Sequence, residues 1–202
     1  MSKVIEFSGT PDAGKTTVIS RLKKILEEKG KNVILLGEAN GLELPPQDLR
    51  GTIKYNEWVG KNACEGIINA VNQNPDIVLV DRGIIDFRFW NYLYKKNGKA
   101  TEEEVAEIQN QEVFQDKRLI PDLLIAVTVS IDEAIRRNPN LARKRRWVEN
   151  HNDLFEKFYD TYKGNKTKID TKELSKEDVE NEILKLLQRS NMIEMEENDL
   201  TK

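Results

Sequence analysis

Cysteine and histidine are almost missing from this chain. Cys64 is the only thiol among 202 residues, which excludes an intramolecular disulfide and suits a reducing compartment. It lies between Ala63 and Gly66 in a helical stretch and reads as a packing residue. His151 is the only imidazole; it falls in a polar helical stretch and reads as a surface side chain. No Cys/His cluster has zinc-ligand spacing, so the only metal expected is a Mg²⁺ carried with a nucleotide. Long apolar runs are missing as well. The longest, such as 77–80 and 123–127, are strand-sized and too short to span a bilayer. The first strand begins near the N-terminus, so no signal peptide is expected, and a cytoplasmic location is. The net charge of −3 offers no global basic field, so neither nucleic acid nor a membrane is an expected partner.

What is present is an ordinary globular balance, with 33% charged and 38% hydrophobic residues. The length suits one α/β domain, placed at 1–189 and followed by a polar acidic tail at 190–202, read as frayed. Segments at 4–8, 33–36, 77–80, 123–129 and 167–169 read as strands, most of them apolar. Between them, 15–29, 55–72, 87–95, 102–118, 132–137, 141–162 and 179–188 show helical character. Thr101, with Glu104 three residues on, fits a capping box. The segment 37–49, rich in Gly, Asn and Pro, reads as a loop with functional potential. Strands that are continuously apolar and alternate with helices mean a parallel sheet covered on both faces.

The first strand runs into Gly9-Thr10-Pro11-Asp12-Ala13-Gly14-Lys15-Thr16, which matches the Walker A pattern in full and opens a helix. The glycines let backbone N–H groups turn inward around a β-phosphate, and the helix N-terminus adds its dipole. Lys15 reaches the β- and γ-oxygens, and the Thr16 hydroxyl ligates Mg²⁺. The residues expected against the nucleotide are Gly9, Asp12, Ala13, Gly14, Lys15, Thr16 and Thr17, with Arg137 from beyond the fourth strand. The third strand ends in Asp81, the Walker B form, expected beside Thr16 as the second metal residue. Arg82 follows, and its fork can grip a phosphate or carboxylate. Asp86, one helical turn on, either binds the acceptor or stabilises the helix start.

Arg136, Arg137, Arg143, Lys144, Arg145 and Arg146 crowd one short segment. Phosphoryl transfer needs positive charge on the equatorial oxygens, so the stretch at about 137–147 reads as a mobile lid, with Arg143 and Arg145 as its catalytic residues. Nucleic-acid binding is the rival use, but Trp147 is the only aromatic interleaved with these cations.

On these residues the chain resembles the thymidylate kinase and deoxynucleoside kinase group of P-loop kinases. The resemblance rests on the Walker A stretch, Glu38 after the second strand, Asp81-Arg82, Pro121-Asp122-Leu123 leading to Asp132-Glu133-Ala134 and the basic segment, and Ile169-Asp170-Thr171 before Ser175. It implies a P-loop NTPase fold: three α/β/α layers, a five-stranded parallel sheet and a small arginine-rich lid. It also implies Mg-ATP as donor, a nucleoside or nucleoside monophosphate as acceptor, and frequently a homodimer. Arg82 would clamp an acceptor phosphate. Glu38 matches a carboxylate that acts as general base toward a hydroxyl, and its alternative is a solvated loop acid. The group's proline after that acid is Ala39 here, its early Walker acid is displaced to Asp12, and its substrate-reading arginine has no match near Val59-Gly60. Tyr55, Trp58 and Asn62 stand in that helix, able to contact a base or simply to pack. A kinase of a non-nucleotide hydroxyl and a regulatory P-loop ATPase are the alternatives. A GTPase is discounted, because Asn165-Lys166-Thr167 is followed by Lys168 where an acid is required.

Overall fold

The structure, a computed structural model, describes residues 2–37, 47–190 and 192–193. Strands β1 (Lys3–Gly9), β2 (Val33–Leu36), β3 (Ile77–Asp81), β4 (Leu123–Thr128) and β5 (Lys166–Asp170) form one parallel sheet in the order β2-β3-β1-β4-β5. Helices α1 (Lys15–Glu28), α2 (Ile53–Asn72), α3 (Ile84–Lys96), α4 (Glu102–Gln109), α5 (Ile131–Arg137), α6 (Arg145–Thr161) and α7 (Lys176–Arg189) cover its two faces. The strand order reverses between β1 and its neighbours β3 and β4, so the C-terminal ends of these strands open a crevice.

Strand periodicity assigns each side chain to a face. Ile5, Phe7, Leu79, Ile125 and Val127 pack against Leu22 of α1 and Leu187 of α7. Val4, Val78, Val80, Leu124 and Ala126 pack against Ile67 of α2, Phe89 of α3 and Phe155 of α6. Glu6 shares the second face, an acid in an otherwise apolar layer. Cys64 is fully buried there, and burial first, then the charge of Glu6, pushes its thiol up to about 12. It is a packing residue, as expected.

Several elements depart from the sequence reading. The expected helix over 102–118 stops at Gln109 and gives way to 3-10 turns at Glu112–Phe114 and Lys117–Leu119. Phe114 leaves the helical path to stack on Phe87 at 4.4 Å, and Asp116 caps the second turn through the Arg118 N–H. The Thr101–Glu104 capping box is present. The helix expected over 141–162 begins with a 3-10 stretch, Pro139–Lys144, capped by Asn138, before α6 starts. The loop over 37–49 lies largely outside the described residues; its end, Gln47–Leu49, is a 3-10 turn. Ile193, in the tail expected to be frayed, is buried on the core beside α7, and most of that tail lies outside the described residues. No helix among the described residues is long and apolar enough to cross a membrane.

The reading of His151 as a surface residue is corrected. Only 1% of it is exposed. It shares the inner face of α6 with Val148, Phe155 and Tyr159, a helical period masked by the charged residues between them. Its ring lies 5.0 Å from that of Phe89, 5.7 Å from Trp90 and 5.3 Å from Trp147. Burial pushes its pKa down to about 4. A histidine held neutral by folding contributes stability above its ordinary value near 6.5, and that contribution is lost as pH falls toward 4. Replacing His151→Leu should therefore flatten the decline of thermal stability over this window, measured by melting temperature against pH.

Candidate active site

The phosphate loop is shaped by close approach and by an uncapped helix. At Gly9 a β-carbon would stand 1.9 Å from the Val127 carbonyl oxygen, so only glycine lets β1 run this close to β4. Thr10 N–H donates to that same carbonyl at 3.1 Å, and the Thr10 hydroxyl accepts from Val129 N–H at 3.0 Å. Asp12 (φ 54°) and Gly14 (φ 88°) are left-handed, which curls the loop. Gly14 is the N-cap of α1 and offers no side-chain cap, leaving the first N–H groups of the helix to point into the loop. Lys15 is buried and donates to the Thr10 carbonyl at 2.8 Å across the loop. Thr16 and Thr17 are exposed on the first turn of α1, and Ala13 is buried.

The two residues expected from sequence to hold a metal lie side by side. Thr16 Oγ1 donates to Asp81 Oδ2 at 2.8 Å. Asp81 Oδ1 is buried and has no hydrogen-bond partner among the described residues. A carboxylate oxygen left without a donor, beside a hydroxyl, is the hard oxygen environment a Mg²⁺ takes, so these residues fit the ion.

Arg137 also reaches the loop. It donates to the Asp12 carbonyl at 3.3 Å, and to the hydroxyl and carbonyl of Thr171 at 3.0 and 2.8 Å. Thr171 donates in turn to the Ala13 carbonyl at 3.0 Å. The end of α5, the loop after β5 and the phosphate loop are therefore tied together. The structure does not bring the other lid arginines there. Arg145 is ion-paired with Asp132 and Glu149 on the surface, and Arg143 lines a groove beside α3. Glu38 lies outside the described residues.

Next to Asp81 stands an arrangement that sequence reasoning missed. Glu6 projects from β1 and accepts from the N–H groups of Gly83, Ile85 and Asp86 at 3.0, 3.1 and 2.8 Å. It supplies the N-cap of α3 from another strand, which is why α3 begins at Ile84, earlier than its own sequence suggests. Gly83 permits this contact, since a β-carbon there would meet Glu6 Oε2 at 2.7 Å. Burial pushes the Glu6 carboxyl up to about 7, against the downward pull of the three N–H groups. Its one visible signal was an acid inside an apolar strand. Asp86 is buried, accepts from Ser8 Oγ at 2.5 Å and pairs with Arg82 Nη1 at 3.3 Å. Arg82 itself is left-handed (φ 66°), a conformation costing about 1–3 kcal/mol that its surroundings must hold.

Arg82 and Asp86 face a cavity of about 480 Å³ between the strand ends, α2 and α3. Tyr55 and Asn62 line it, with Arg50, Trp90 and Tyr94. Trp58 does not; its carbonyl accepts from Asn62 at 2.7 Å. The volume and the mixed lining suit a small molecule with a planar part and an anionic part.

Comparison with known proteins bears on the family and the fold. The sequence model described as AAA domain matches residues 4–181. The thymidylate kinase of Acinetobacter baumannii (strain AYE) is 26% identical over 155 residues, covering 70% of this chain and 72% of that protein. The thymidylate kinase of Nitrosospira multiformis is 25% identical over 167 residues, covering 79% and 81%. A solved structure of deoxyadenosine kinase from M. mycoides, with products dCMP and a flexible dCDP bound, superimposes with a TM-score of 0.72. Its identity is 19%, and 92% of this chain and 99% of that one are covered. The fold is that of a P-loop kinase.

Substitution Glu6→Ala, which strips three N–H groups of their acceptor, should cost about 2–4 kcal/mol in chemical denaturation. A buried acid raised to about 7 stabilises the fold most below its ordinary value of 4.5, and that contribution is lost as pH rises through 7. Glu6→Gln should remove this dependence between pH 4.5 and 7.

Proposed function

The chain belongs to the AAA domain family, and from that premise we propose that it is an ATP-dependent kinase. It transfers the γ-phosphate of Mg-ATP to a nucleoside monophosphate or nucleoside held in the cavity beside Arg82. The observation that carries this reading is the juxtaposition of a complete phosphate loop with a separate cavity whose mouth holds Asp81, Arg82 and Asp86. A plain nucleotide switch has no need of a second pocket at the γ-phosphate end. The likeness to thymidylate kinases and to a deoxyadenosine kinase supports the nucleotide class of acceptor.

In this mechanism the loop N–H groups and the α1 N-terminus hold the β-phosphate, and Lys15 leaves the Thr10 carbonyl to meet the β- and γ-oxygens. Gly9, Ala13 and Gly14 give the loop its shape, while Asp12 and Thr17 border the nucleotide. Thr16 and Asp81 would hold Mg²⁺, which when bound neutralises charge on the phosphate oxygens. Arg137, already across the loop at Asp12, flanks the donor nucleotide. Arg82 clamps the acceptor, with Asp86 fixing its fork. Because the left-handed Arg82 is anchored between β3 and α3, the clamp is oriented before the acceptor arrives. Glu38 serves as general base if the acceptor is a hydroxyl. Arg143 and Arg145 reach the transferring phosphate when the lid turns about Asn138, a movement that releases Arg145 from Asp132 and Glu149.

ADP release should be strongly stimulated by one member of a panel of nucleosides, deoxynucleosides and their monophosphates. Lys15→Ala should reduce that transfer by about a thousandfold or more while leaving the melting temperature near that of the parent. Retained turnover in this variant would remove the lysine from the mechanism. Hydrolysis indifferent to every acceptor would make the protein a regulatory ATPase instead.

A further inference from the structure

The cations of the lid segment fall into two groups. Arg136 and Arg137 are paired with Glu133, and Arg145 with Asp132 and Glu149. Arg143, Lys144 and Arg146 have no ion pair among the described residues, and neither has Lys99 in the turn between α3 and α4. These four converge on one groove of about 710 Å³ whose lining, among the described residues, contains no carboxylate. In a chain of net charge −3 this is a local concentration of uncompensated positive charge.

The same groove carries two indoles. Trp147 is 41% exposed, an unusual cost for so large an apolar ring, and Trp90 stands across His151 from it. The expectation that nucleic acid is no partner rested on the net charge of −3 and on Trp147 being the lone aromatic among these cations. Folding places Trp90 of α3 beside them, a neighbour the linear sequence hides. The groove is also continuous with the acceptor cavity, since Gly51, Trp90 and Tyr94 line both.

We propose that this groove binds a single-stranded nucleic acid, continuing the strand from a nucleotide seated in the acceptor cavity. Lys99, Lys144 and Arg146 face the phosphodiester backbone, Arg143 being kept for the transferring phosphate, and the exposed indole stacks on a base. The proposal rests on the reading of that cavity as the acceptor site, and it widens the substrate from a mononucleotide to the end of an oligonucleotide. A lipid surface is a poorer match, because the charge lies in a recess lined by stacking rings.

Binding is measured on the full chain by fluorescence anisotropy, with a single-stranded octanucleotide as DNA and as RNA, against the mononucleotide and inorganic tripolyphosphate. The octanucleotide should bind at least about tenfold more tightly than the mononucleotide, and its affinity should fall with salt. Trp147→Ala should weaken it about tenfold, and Lys99→Glu, at an exposed site, should weaken it and reduce the salt slope by about one. Equal affinity for octanucleotide and mononucleotide overturns the proposal. So does displacement by tripolyphosphate as effective as by the octanucleotide, or indifference of binding to both substitutions. Substitutions that raise the KM for ATP while leaving octanucleotide binding intact would assign these side chains to the donor, and also overturn it. ADP release with the mononucleotide panel is read separately, so failure of the kinase reading and failure of the groove are told apart.

Discussion

The carboxylate of Glu6 holds together the part of the molecule where function is concentrated. It reaches from the central strand to three N–H groups at the start of α3, and the residues between β3 and that helix are fixed as a result. Asp81 ends the strand, Arg82 takes a left-handed turn, Gly83 passes close to Glu6, and Asp86 turns back to Ser8 and Arg82. A carboxylate buried without water is costly, and three donors from a helix N-terminus offset much of that cost. The N–H groups that would otherwise be orphaned beside an acceptor cavity are satisfied from within the sheet.

The two sides of the crevice are built on opposite principles. On the donor side α1 is left without a side-chain cap, and the loop before it stays open to an anion. On the acceptor side α3 is capped from inside, so its N-terminus is not available as a second phosphate cradle. Positive charge there comes from Arg82 instead, a side chain with a planar fork and a fixed backbone. The asymmetry gives the crevice a direction. In the proposed reading one phosphate chain would be held by backbone, and the other partner met by side chains.

Much of this was legible in the linear sequence, because it is local. The Walker A stretch carries its strand, turn and helix in consecutive residues, and four of the five strands are short, largely apolar runs. Asp81 and Thr16 were paired by motif, and the fold puts them 2.8 Å apart. What escaped was non-local. The cap of α3 comes from a residue in another strand, so no reading of α3 alone finds its start. His151 looked exposed because its helix is mostly charged; only the spacing with Val148 and Phe155 shows that it faces inward. Phe114 breaks the helix expected over 102–118 because Phe87, distant in sequence, offers it a ring. Trp90 and Trp147 come to the two sides of His151 only once α3 and α6 are packed.

The two glycines of the phosphate loop, Gly9 and Gly14, answer to different forces. A side chain at Gly14 would meet nothing within 4 Å, and only its backbone angle favours glycine. At Gly9 the obstacle is a neighbouring strand's carbonyl, 1.9 Å from where a β-carbon would sit. Loss of activity on changing Gly9 would thus report on closure of the sheet, whatever the loop binds. Loss on changing Gly14 would report on the curl that presents N–H groups to an anion. One motif therefore holds both a folding constraint and a ligand constraint, separable by position.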